Sequence, residues 1–313
     1  MIFTVTPNPV LDRTLTVPAI VLNEMTRAQK IREDWGGKGF NVSRALRALG
    51  MQSVATAFIG GATGEKLALG LHTLGIETDL IEVSEETRTN IVITDAAGEQ
   101  YLKVNEAGPY VSGTEIASFF ARVADRAQAG DFWALCGSLP PGVPDDFYAR
   151  LIGLLRARGA RTILDTSGEP LKQALNAVPT LVKPNIPEAA AWLGHPIRSP
   201  DEAAVAVDNF LEMGITLVAL SLGAEGLLLA SEEIRIWAQP PDVTARNPVG
   251  AGDALVAGLL WALMEELPLP DVARWGVAAG TAAAMREGVS VGSRSEVESL
   301  YRNVALRRWP STT

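Results

Sequence analysis

Short runs of β-branched and apolar residues alternate with longer helical patterns along most of this chain, from about residue 34 onward. Strand-like segments lie at 3–6, 54–58, 131–136, 161–165, 180–182, 216–222 and 226–230. Helical patterns lie near 39–49, 64–74, 113–129, 145–158, 186–194, 200–213, 252–267, 271–286 and 294–307. This alternation is typical of βαβ units, in which helices cover a mostly parallel sheet. The sequence therefore predicts an α/β fold, with the C-terminal half as one continuous domain.

Two segments interrupt this alternation. Residues 13–33 look extended and contain Pro18, and residues 90–104 have the pattern of a strand, an AAG turn and a second strand. We expect both pieces to form a small antiparallel sheet, a discontinuous lid over residues 13–33 and 88–105. The core would then comprise residues 1–12, 34–87 and 106–313. The alternative is that both pieces are edge strands of the large sheet.

The composition excludes several classes of protein. The 313 residues are 47% hydrophobic and carry a net charge of −9, which fits a globular protein and disfavours nucleic-acid binding. Cys136 is the single cysteine and the chain has two histidines, too few for a disulfide or a Cys/His zinc cage. The N-terminus lacks the pattern of a signal peptide, and the apolar stretch 254–264 is shorter than the roughly 20 residues that span a bilayer. We therefore expect a cytoplasmic protein that binds neither nucleic acid nor membrane.

The segment NPVGAGD, residues 247–253, precedes a strongly apolar helical pattern. Gly250, Ala251 and Gly252 would lie at the N-terminus of that helix, where free amides and the helix dipole favour an anion. Asp253 would lie in the first turn. A carboxylate beside an anion site fits a base that removes a proton from an alcohol attacking a phosphate. The alternative is that Asp253 only complements the helix dipole.

Two common nucleotide-binding motifs are absent. A P-loop requires Ser or Thr after the lysine of its GK pair, but Gly39 follows Lys38. A dinucleotide-binding fingerprint beginning at Gly250 would require a third glycine at position 255, which is Leu255. The chain is therefore not expected to bind phosphate in either of these ways.

A second glycine-rich segment, WGGKGFN at 35–41, also precedes a helical pattern. Gly37 allows close approach of the backbone to a ligand, and Lys38 and Asn41 supply polar side chains. Asp12 follows the first strand at the carboxyl end of the sheet, where open α/β sheets bind ligands. A turn with a solvated lysine and a turn aspartate are the alternatives.

Two further groups of residues are compatible with binding. Asn185 and Glu188 share a helix face after the strand 180–182, and they fit either Mg²⁺ held through water or an N-cap with its partner glutamate. Arg27, Arg88 and Lys103 lie in or beside the lid segments of an acidic chain. With Lys38 they could bind a phosphate already on the substrate, or each could be a solvated surface residue.

Eight motifs in order give the chain a resemblance to the ribokinase-like (PfkB) sugar kinases: TPNPVLDRTL, GGKGFN, TRTNI, GSLPPGV, LDTSG, KPNIPE, SLGAEG and NPVGAGD. The match is nearest to the branch of 1-phosphofructokinases, tagatose-6-phosphate kinases and minor 6-phosphofructokinases. The resemblance implies a ribokinase-like α/β/α sandwich with a β lid, ATP and Mg²⁺ as cofactors, and a homodimer formed through the lids. The pair Asp12-Arg13 and the cluster TRTNI favour the 1-phosphofructokinases.

The resemblance also implies a role for individual residues. Asp253 would be the general base, and the amides of Gly250, Ala251 and Gly252 would form the anion hole. Residues near the sugar and its phosphate would be Asp12, Arg27, Gly37, Lys38, Asn41, Arg88, Asn90, Lys103 and Ser138. Residues on the nucleotide side would be Lys183, Asn185, Ser221, Gly223 and Gly226. Asn185 and Glu188 would be associated with Mg²⁺, through water.

We therefore expect ATP-dependent phosphorylation of fructose 1-phosphate at O6, giving fructose 1,6-bisphosphate and ADP. Tagatose 6-phosphate and fructose 6-phosphate are the alternative substrates, since sequence does not show which end of the sugar carries the first phosphate. A non-catalytic sensor of sugar phosphate or nucleotide on the same scaffold is a further alternative. Loss of the base would be expected in such a sensor, and Asp253 is present.

Overall fold

The computed structural model describes residues 1–286 and 292–309, whose strands form a ten-stranded and a four-stranded sheet. The large sheet contains, in spatial order, Ala305–Arg308 (β14), Arg235–Gln239 (β13), Leu227–Ala230 (β12), Leu217–Ser221 (β11), Leu181–Val182 (β10), Arg161–Asp165 (β9), Phe132–Cys136 (β8), Ile2–Thr6 (β1), Val54–Ile59 (β4) and Glu77–Glu82 (β5). The small sheet contains Lys30–Gly36 (β3), Val10–Val17 (β2), Thr89–Asp95 (β6) and Tyr101–Val104 (β7). The helices are Lys38–Ala48 (α1), Gly61–Thr73 (α2), Gly113–Arg126 (α3), Phe147–Ala157 (α4), Gly168–Leu175 (α5), Ile186–Leu193 (α6), Pro200–Glu212 (α7), Ala251–Met264 (α8), Leu269–Ala284 (α9) and Arg294–Tyr301 (α10).

The large sheet confirms the predicted α/β class. From β11 to β5 its strands run parallel, and β12, β13 and β14 add an antiparallel edge. The central strands β1 and β8 are buried along their whole length because helices cover both faces. On one face the rings of Phe3 and Trp133 stack at 4.1 Å, and on the other face α1, α8 and α9 pack over the sheet.

Close packing of α8 on α9 fixes the position of the α8 N-terminus. A Cβ at Gly258 would lie 2.4 Å from the carbonyl oxygen of Trp275, so the two backbones approach closely only because this residue is glycine. Residues 253–262 of α8 are all buried. The first turn of α8 is therefore held firmly against the core, with its amides at the carboxyl edge of the parallel strands.

The C-terminal prediction was wrong in part. The helix predicted over 294–307 ends at Tyr301, and residues 305–308 form β14 on the edge of the sheet. Leu306 pairs with Ala238 and Arg307 with Trp237, whose ring lies 5.8 Å from the Arg307 guanidinium, so the segment extends the sheet at the edge of β13. The sequence patterns also missed the strands β5 and β13 and the helix α5.

The four strands β3, β2, β6 and β7, called the lid below, form a sheet separate from the large one. Pairs β2–β3 and β6–β7 are antiparallel, whereas the central pair β2–β6 is parallel. The parallel pairing arises because β1 and β5 run in the same direction, so the chain leaves the large sheet at the same edge each time. Strand β2 begins at Val10 and β3 continues to Gly36, so the lid strands extend beyond residues 13–33 into the predicted core segments. Among the described residues, no helix combines the length and apolar character needed to cross a membrane.

Candidate active site

Five polar residues meet at the carboxyl edge of the parallel strands, and we call them the strand-end cluster. Lys38 and Asn41 lie in the first turns of α1, Asp165 ends β9, Lys183 follows β10, and Asp253 lies in the first turn of α8. Ligands of open α/β sheets bind at this edge, because the loops that follow parallel strands converge there. The cluster therefore lies where the sequence predicted a site.

Asp165 is the anionic centre of the cluster. Its Oδ1 accepts from Lys38 Nζ at 2.9 Å and lies 3.3 Å from Lys183 Nζ, and its side chain is 1% exposed. Burial opposes ionisation, but Lys183 and Lys38 hold the pKa of Asp165 below its usual value. Burial likewise opposes the charge of Lys38, yet Asp165, Asp253 and Glu188 raise the pKa of this lysine. The charge of Lys38 is thus stabilised within the cluster.

Asp253 is buried and held by one amide. Its Oδ2 accepts from Asn41 Nδ2 at 2.8 Å. Burial and the nearby charge of Asp165 raise the pKa of Asp253 to about 6, against the opposing influence of Lys38, Asn41 and Lys183. A carboxylate with this pKa is mostly ionised at neutral pH and is a stronger base than an exposed aspartate.

The turn before Asp253 has the features of an anion site. Gly250 caps α8 in the left-handed region with φ of 82°, and the first helical hydrogen bond runs from Ala254 N to Gly250 O at 2.9 Å. The amides of Gly252 and Asp253 precede that bond, so they are among the helix donors that lack an intrahelical acceptor. Ala251 N instead donates to Pro248 O at 3.2 Å, so the amide of Ala251, predicted to be part of the anion hole, is already bonded. A Cβ at Gly252 would lie 3.7 Å from Lys183 Nζ, which places a cation beside the same turn.

The glycine-rich turn brings α1 against β1. Gly37 caps α1 with φ of 132°, and a Cβ at Gly39 would lie 2.4 Å from Thr6 Oγ1. A Cβ at Gly36 would lie 2.3 Å from Asp12 Oδ2. These glycines let the chain at the start of α1 approach β1 and Asp12.

On the lid, Asp12 pairs with Asn90 across β2 and β6. Asn90 Nδ2 donates to Asp12 Oδ1 at 2.9 Å, and the other amide atom, Asn90 Oδ1, is buried without a hydrogen-bond partner among the described residues. Burial raises the pKa of Asp12, while Asn90, Lys103 and Arg88 lower it. Two predicted cations therefore lie near this carboxylate.

Arg88 and Arg27 have different surroundings in this structure. Arg88 donates to the carbonyl oxygens of Asn8 at 2.9 Å, Glu106 at 3.1 Å and Pro9 at 3.4 Å, so it ties the lid to the core. Arg27 lies exposed in the loop between β2 and β3, and its side chain makes no hydrogen bond or ion pair within the described residues. Ser138 is exposed in the loop after β8.

Asn185 and Glu188 form a capping box at the start of α6. Glu188 N donates to Asn185 Oδ1 at 2.8 Å, and Asn185 N donates to Glu188 Oε2 at 2.9 Å. The alternative offered by the sequence, an N-cap with its partner glutamate, is therefore observed. The charge of Glu188 also raises the pKa of Lys38, so Glu188 lies near the strand-end cluster.

The loop after β11 lies beside this capping box. Ser221 forms a bridge with Asn185, and Ser221 Oγ donates to Pro184 O at 3.3 Å. Gly223 and Gly226 have φ of 61° and 97°, and a Cβ at Gly226 would lie 2.1 Å from Ala238 O. The three residues expected on the nucleotide side thus shape one turn next to α6.

Sequence reasoning missed two residues of the site. Asp165 belongs to the motif LDTSG but was given no role, although an aspartate at the end of an apolar strand candidate is the same signal that identified Asp12. Arg44, one helical turn after Asn41, donates to Asn41 Oδ1 at 3.4 Å. Its position in α1 carries no signal in the sequence alone.

The model of the pfkB family carbohydrate kinases matches residues 6–296. The chain belongs to this family. The prediction of a PfkB kinase with a ribokinase-like fold is therefore confirmed, and the chain is a carbohydrate kinase.

Individual relatives cover almost the whole chain of this pfkB kinase. A 1-phosphofructokinase of Bacillus subtilis is 34% identical over 308 residues, which are 98% of this chain and 100% of that protein. The ATP-dependent 6-phosphofructokinase isozyme 2 of Escherichia coli is 34% identical over 304 residues, 96% of this chain and 97% of that protein. The solved tetrameric inhibited form of phosphofructokinase-2 from Escherichia coli has a TM-score of 0.90 and 32% identity, covering 96% of this chain and 98% of that chain.

Proposed function

We propose that this kinase transfers the γ-phosphoryl group of ATP to O6 of fructose 1-phosphate, giving fructose 1,6-bisphosphate and ADP. The observation that carries the proposal is the buried Asp253 beside the free amides of the α8 N-terminus and Lys183. Similarity to a 1-phosphofructokinase and the cluster TRTNI support the choice of sugar.

In the proposed mechanism, Asp253 accepts the proton of the O6 hydroxyl as that oxygen attacks the γ-phosphorus. The departing ADP takes the electrons of the broken bond between the γ-phosphorus and its bridging oxygen. Negative charge on the migrating phosphoryl group is stabilised by the amides of Gly252 and Asp253 and by the ammonium of Lys183. These donors are positioned before substrate binds, so little reorganisation is required.

Two lysines and two aspartates give the strand-end cluster a formal charge of zero. Asp165 holds Lys38 and Lys183 in place, so that neither cation forms a direct ion pair that would neutralise Asp253. ATP brings additional negative charge, which the lysines and the helix amides can accept. Closure of the lid over the sugar would exclude water, which would otherwise be phosphorylated in place of O6.

A magnesium ion would neutralise charge on the β- and γ-phosphates of ATP. Asn185 Oδ1 and Glu188 Oε2 are already used in the capping box, so Glu188 Oε1 is the oxygen of this pair that can face an ion. Among the described residues, no group of three or more His, Cys, Asp or Glu side chains could hold a metal. This donor set fits Mg²⁺ bound mainly by phosphates and water, which is usual for this ion.

The sugar would bind between the strand-end cluster and the lid. Asp12 and Asn90 present a carboxylate and a free amide oxygen to the sugar hydroxyls. Lys103 and Arg88 lie near Asp12 and would bind the C1 phosphate together with Arg27. Lys38 and Asn41 would contact the sugar near O6, next to Asp253.

We also propose that two copies associate through their lids. Ile31, Leu15, Ile93 and Leu102 are paired across neighbouring strands, so they form one apolar row on the face opposite Asp12 and Asn90. Ile31 and Leu102 are each 52% exposed. Leu102→Lys should lower the mass in sedimentation, whereas Leu69→Lys, at an exposed position on α2, should not. An unchanged mass in both variants would contradict a lid interface.

A panel of sugar phosphates with coupled detection of ADP tests the proposed activity. We expect fructose 1-phosphate to give the highest kcat/KM, with Asp253→Asn as the baseline. The competing function is 6-phosphofructokinase activity, since isozyme 2 of Escherichia coli is equally similar at 34% identity. A higher kcat/KM for fructose 6-phosphate or tagatose 6-phosphate would reassign the substrate. Binding of a sugar phosphate without ADP release would indicate a sensor.

We further infer a cytoplasmic location. The chain's cysteine, Cys136, is a buried free thiol, and the proposed phosphoryl donor is ATP. Fractionation of the native host should find the activity with cytoplasmic markers, and recovery with an extracytoplasmic fraction would contradict this location.

A further inference from the structure

Arg44 is a half-buried cation on α1 that the proposed mechanism does not use. Its Nη2 donates to the carbonyl oxygen of Trp35, and its Nη1 donates to Asn41 Oδ1 at 3.4 Å. Burial lowers the pKa of Arg44, and Asp34 and Asp12 raise it. The guanidinium remains charged and has donors only, so the group facing it must be an acceptor.

This requirement fixes the orientation of the Asn41 amide. In the observed orientation the amide oxygen faces Arg44 and the amide nitrogen donates to Asp253 Oδ2 at 2.8 Å. A flipped amide would place its oxygen against the carboxylate and its N–H groups against the guanidinium. Both contacts would be repulsive, so Arg44 selects the orientation that donates to Asp253.

The donated hydrogen bond is one of few influences that favour the ionised form of Asp253. Burial and Asp165 favour the protonated form, while Lys38, Asn41 and Lys183 favour the carboxylate. The charged and titratable groups facing Asp253 from the surrounding elements are Lys38 on α1, Cys136 on β8, Asp165 on β9 and Lys183 after β10. Asn41 is neutral, so its effect on Asp253 depends on which end of its amide faces the base.

We propose that Arg44 is a positioning residue, which acts through Asn41 to keep the base Asp253 ionised and correctly oriented toward the acceptor hydroxyl. The inference rests on the proposed kinase function. Arg44 Nη1 lies 3.4 Å from Asn41 Oδ1, and Arg44 makes no contact with Asp253 itself.

The test is the pH dependence of kcat for Arg44→Met. Without the guanidinium the Asn41 amide can flip, so the proton on Asp253 is lost less readily. The acidic limb of the kcat profile should move upward by roughly 0.5 to 1 pH unit, the effect of losing one hydrogen bond to the charged form. The KM for ATP should change less than about twofold, and kcat above pH 8 should stay within about threefold of wild type.

A double-mutant cycle separates this role from a structural one. Asn41→Ala alone should also move the acidic limb upward, and adding Arg44→Met to it should cause no further shift. The matched control is Arg47→Met, which removes an arginine of the same helix whose Nη1 donates to Gly75 O at 2.9 Å. This control should leave the limb where it is in wild type.

An equal shift from Arg44→Met in the Asn41→Ala background would overturn the proposal, because Arg44 would then act through Trp35 or the helix. If Arg44→Met does not fold, Arg44→Lys takes its place in the same cycle, and its smaller shift must likewise vanish without Asn41. If wild type phosphorylates no sugar in the panel, the proposed function fails. The Arg44 proposal is then judged by carbon-13 NMR titration of Asp253, whose pKa must rise in Arg44→Met and stay unchanged in Arg47→Met.

Discussion

The strand-end cluster and the lid form the two halves of the proposed site, and they differ in how deeply their charged side chains are buried. Asp165 and Lys183 are almost fully buried and held by ion pairs at the end of a parallel sheet. Lys103, on the lid strand β7, and Arg27, in the loop between β2 and β3, are exposed. The groups proposed to react are thus buried and ion-paired, and the groups proposed to select the sugar are exposed. Changes in the lid should alter the choice of sugar, and changes in the cluster should alter the chemistry.

The largest effect is expected from Asp253→Asn. Removal of the base should lower kcat by at least about 100-fold while calorimetry shows near-normal binding of sugar phosphate and ATP. Asp201→Asn is the matched control, because Asp201 also lies in the first turn of a helix but is exposed. Retention of more than half of the activity by Asp253→Asn would break the assignment of chemistry to the cluster.

Asp165→Asn should lower the free energy of unfolding by about 3 kcal/mol, because it leaves the buried Lys183 without its ion pair. It should also move the acidic limb of the kcat profile downward, since the charge of Asp165 raises the pKa of Asp253. Asp79→Asn is the control: Asp79 is buried and paired with Arg122 and Arg126 far from the cluster. It should destabilise in urea unfolding without moving the profile, and a shift there would show that the limb reports stability only.

On the lid, Arg88→Ala should raise the KM for the sugar phosphate about tenfold or more and leave the KM for ATP nearly unchanged. Loss of its bonds to three carbonyl oxygens should also lower the thermal unfolding midpoint. Arg27→Ala should raise the same KM with no change in the midpoint, because its side chain is exposed. Equal effects of Arg88→Ala on both KM values would place this arginine outside the sugar-binding half.

The smallest effect is expected from pH on the wild-type enzyme. A base must be ionised to accept a proton, and the pKa of Asp253 is raised to about 6. The turnover kcat should therefore fall by half near pH 6 and continue to fall below it, in steady-state assays with both substrates saturating. An acidic limb with its midpoint near pH 4 would show that the cluster does not raise the pKa of Asp253 in solution.

Sequence patterns predicted those parts of the site that depend on local structure. Asp253 and Lys38 follow glycine turns at helix starts, so their positions could be predicted from the residues around them. The pairing of Lys38 with Asp165 joins residues 127 positions apart, and no local pattern encodes it. Arg88 was expected to bind a phosphate, and the course of the chain at the lid junction also brings three backbone carbonyls to it, which leaves two of its five N–H groups for that role.

For the fold too, sequence patterns predicted the features that depend on local structure and missed those that depend on pairing between distant segments. Apolar runs identified the buried strands, since both of their faces are covered by helices. The parallel pairing of β2 with β6 depends on the direction in which β1 and β5 leave the large sheet, which the lid sequences do not contain. The strand β14 depends on the exposed edge of β13, which the local helical pattern predicted over 294–307 does not contain.

One residue, Gly37, separates the end of β3 from the start of α1. A tilt of the lid would therefore reach Lys38 and Asn41 without passing through a flexible linker. This short connection also limits how new sugar specificities could be engineered or inherited. A lid transplanted from a relative would need to bring residues 30–41 with it as one unit, because a junction placed within that stretch would uncouple sugar recognition from the reacting groups.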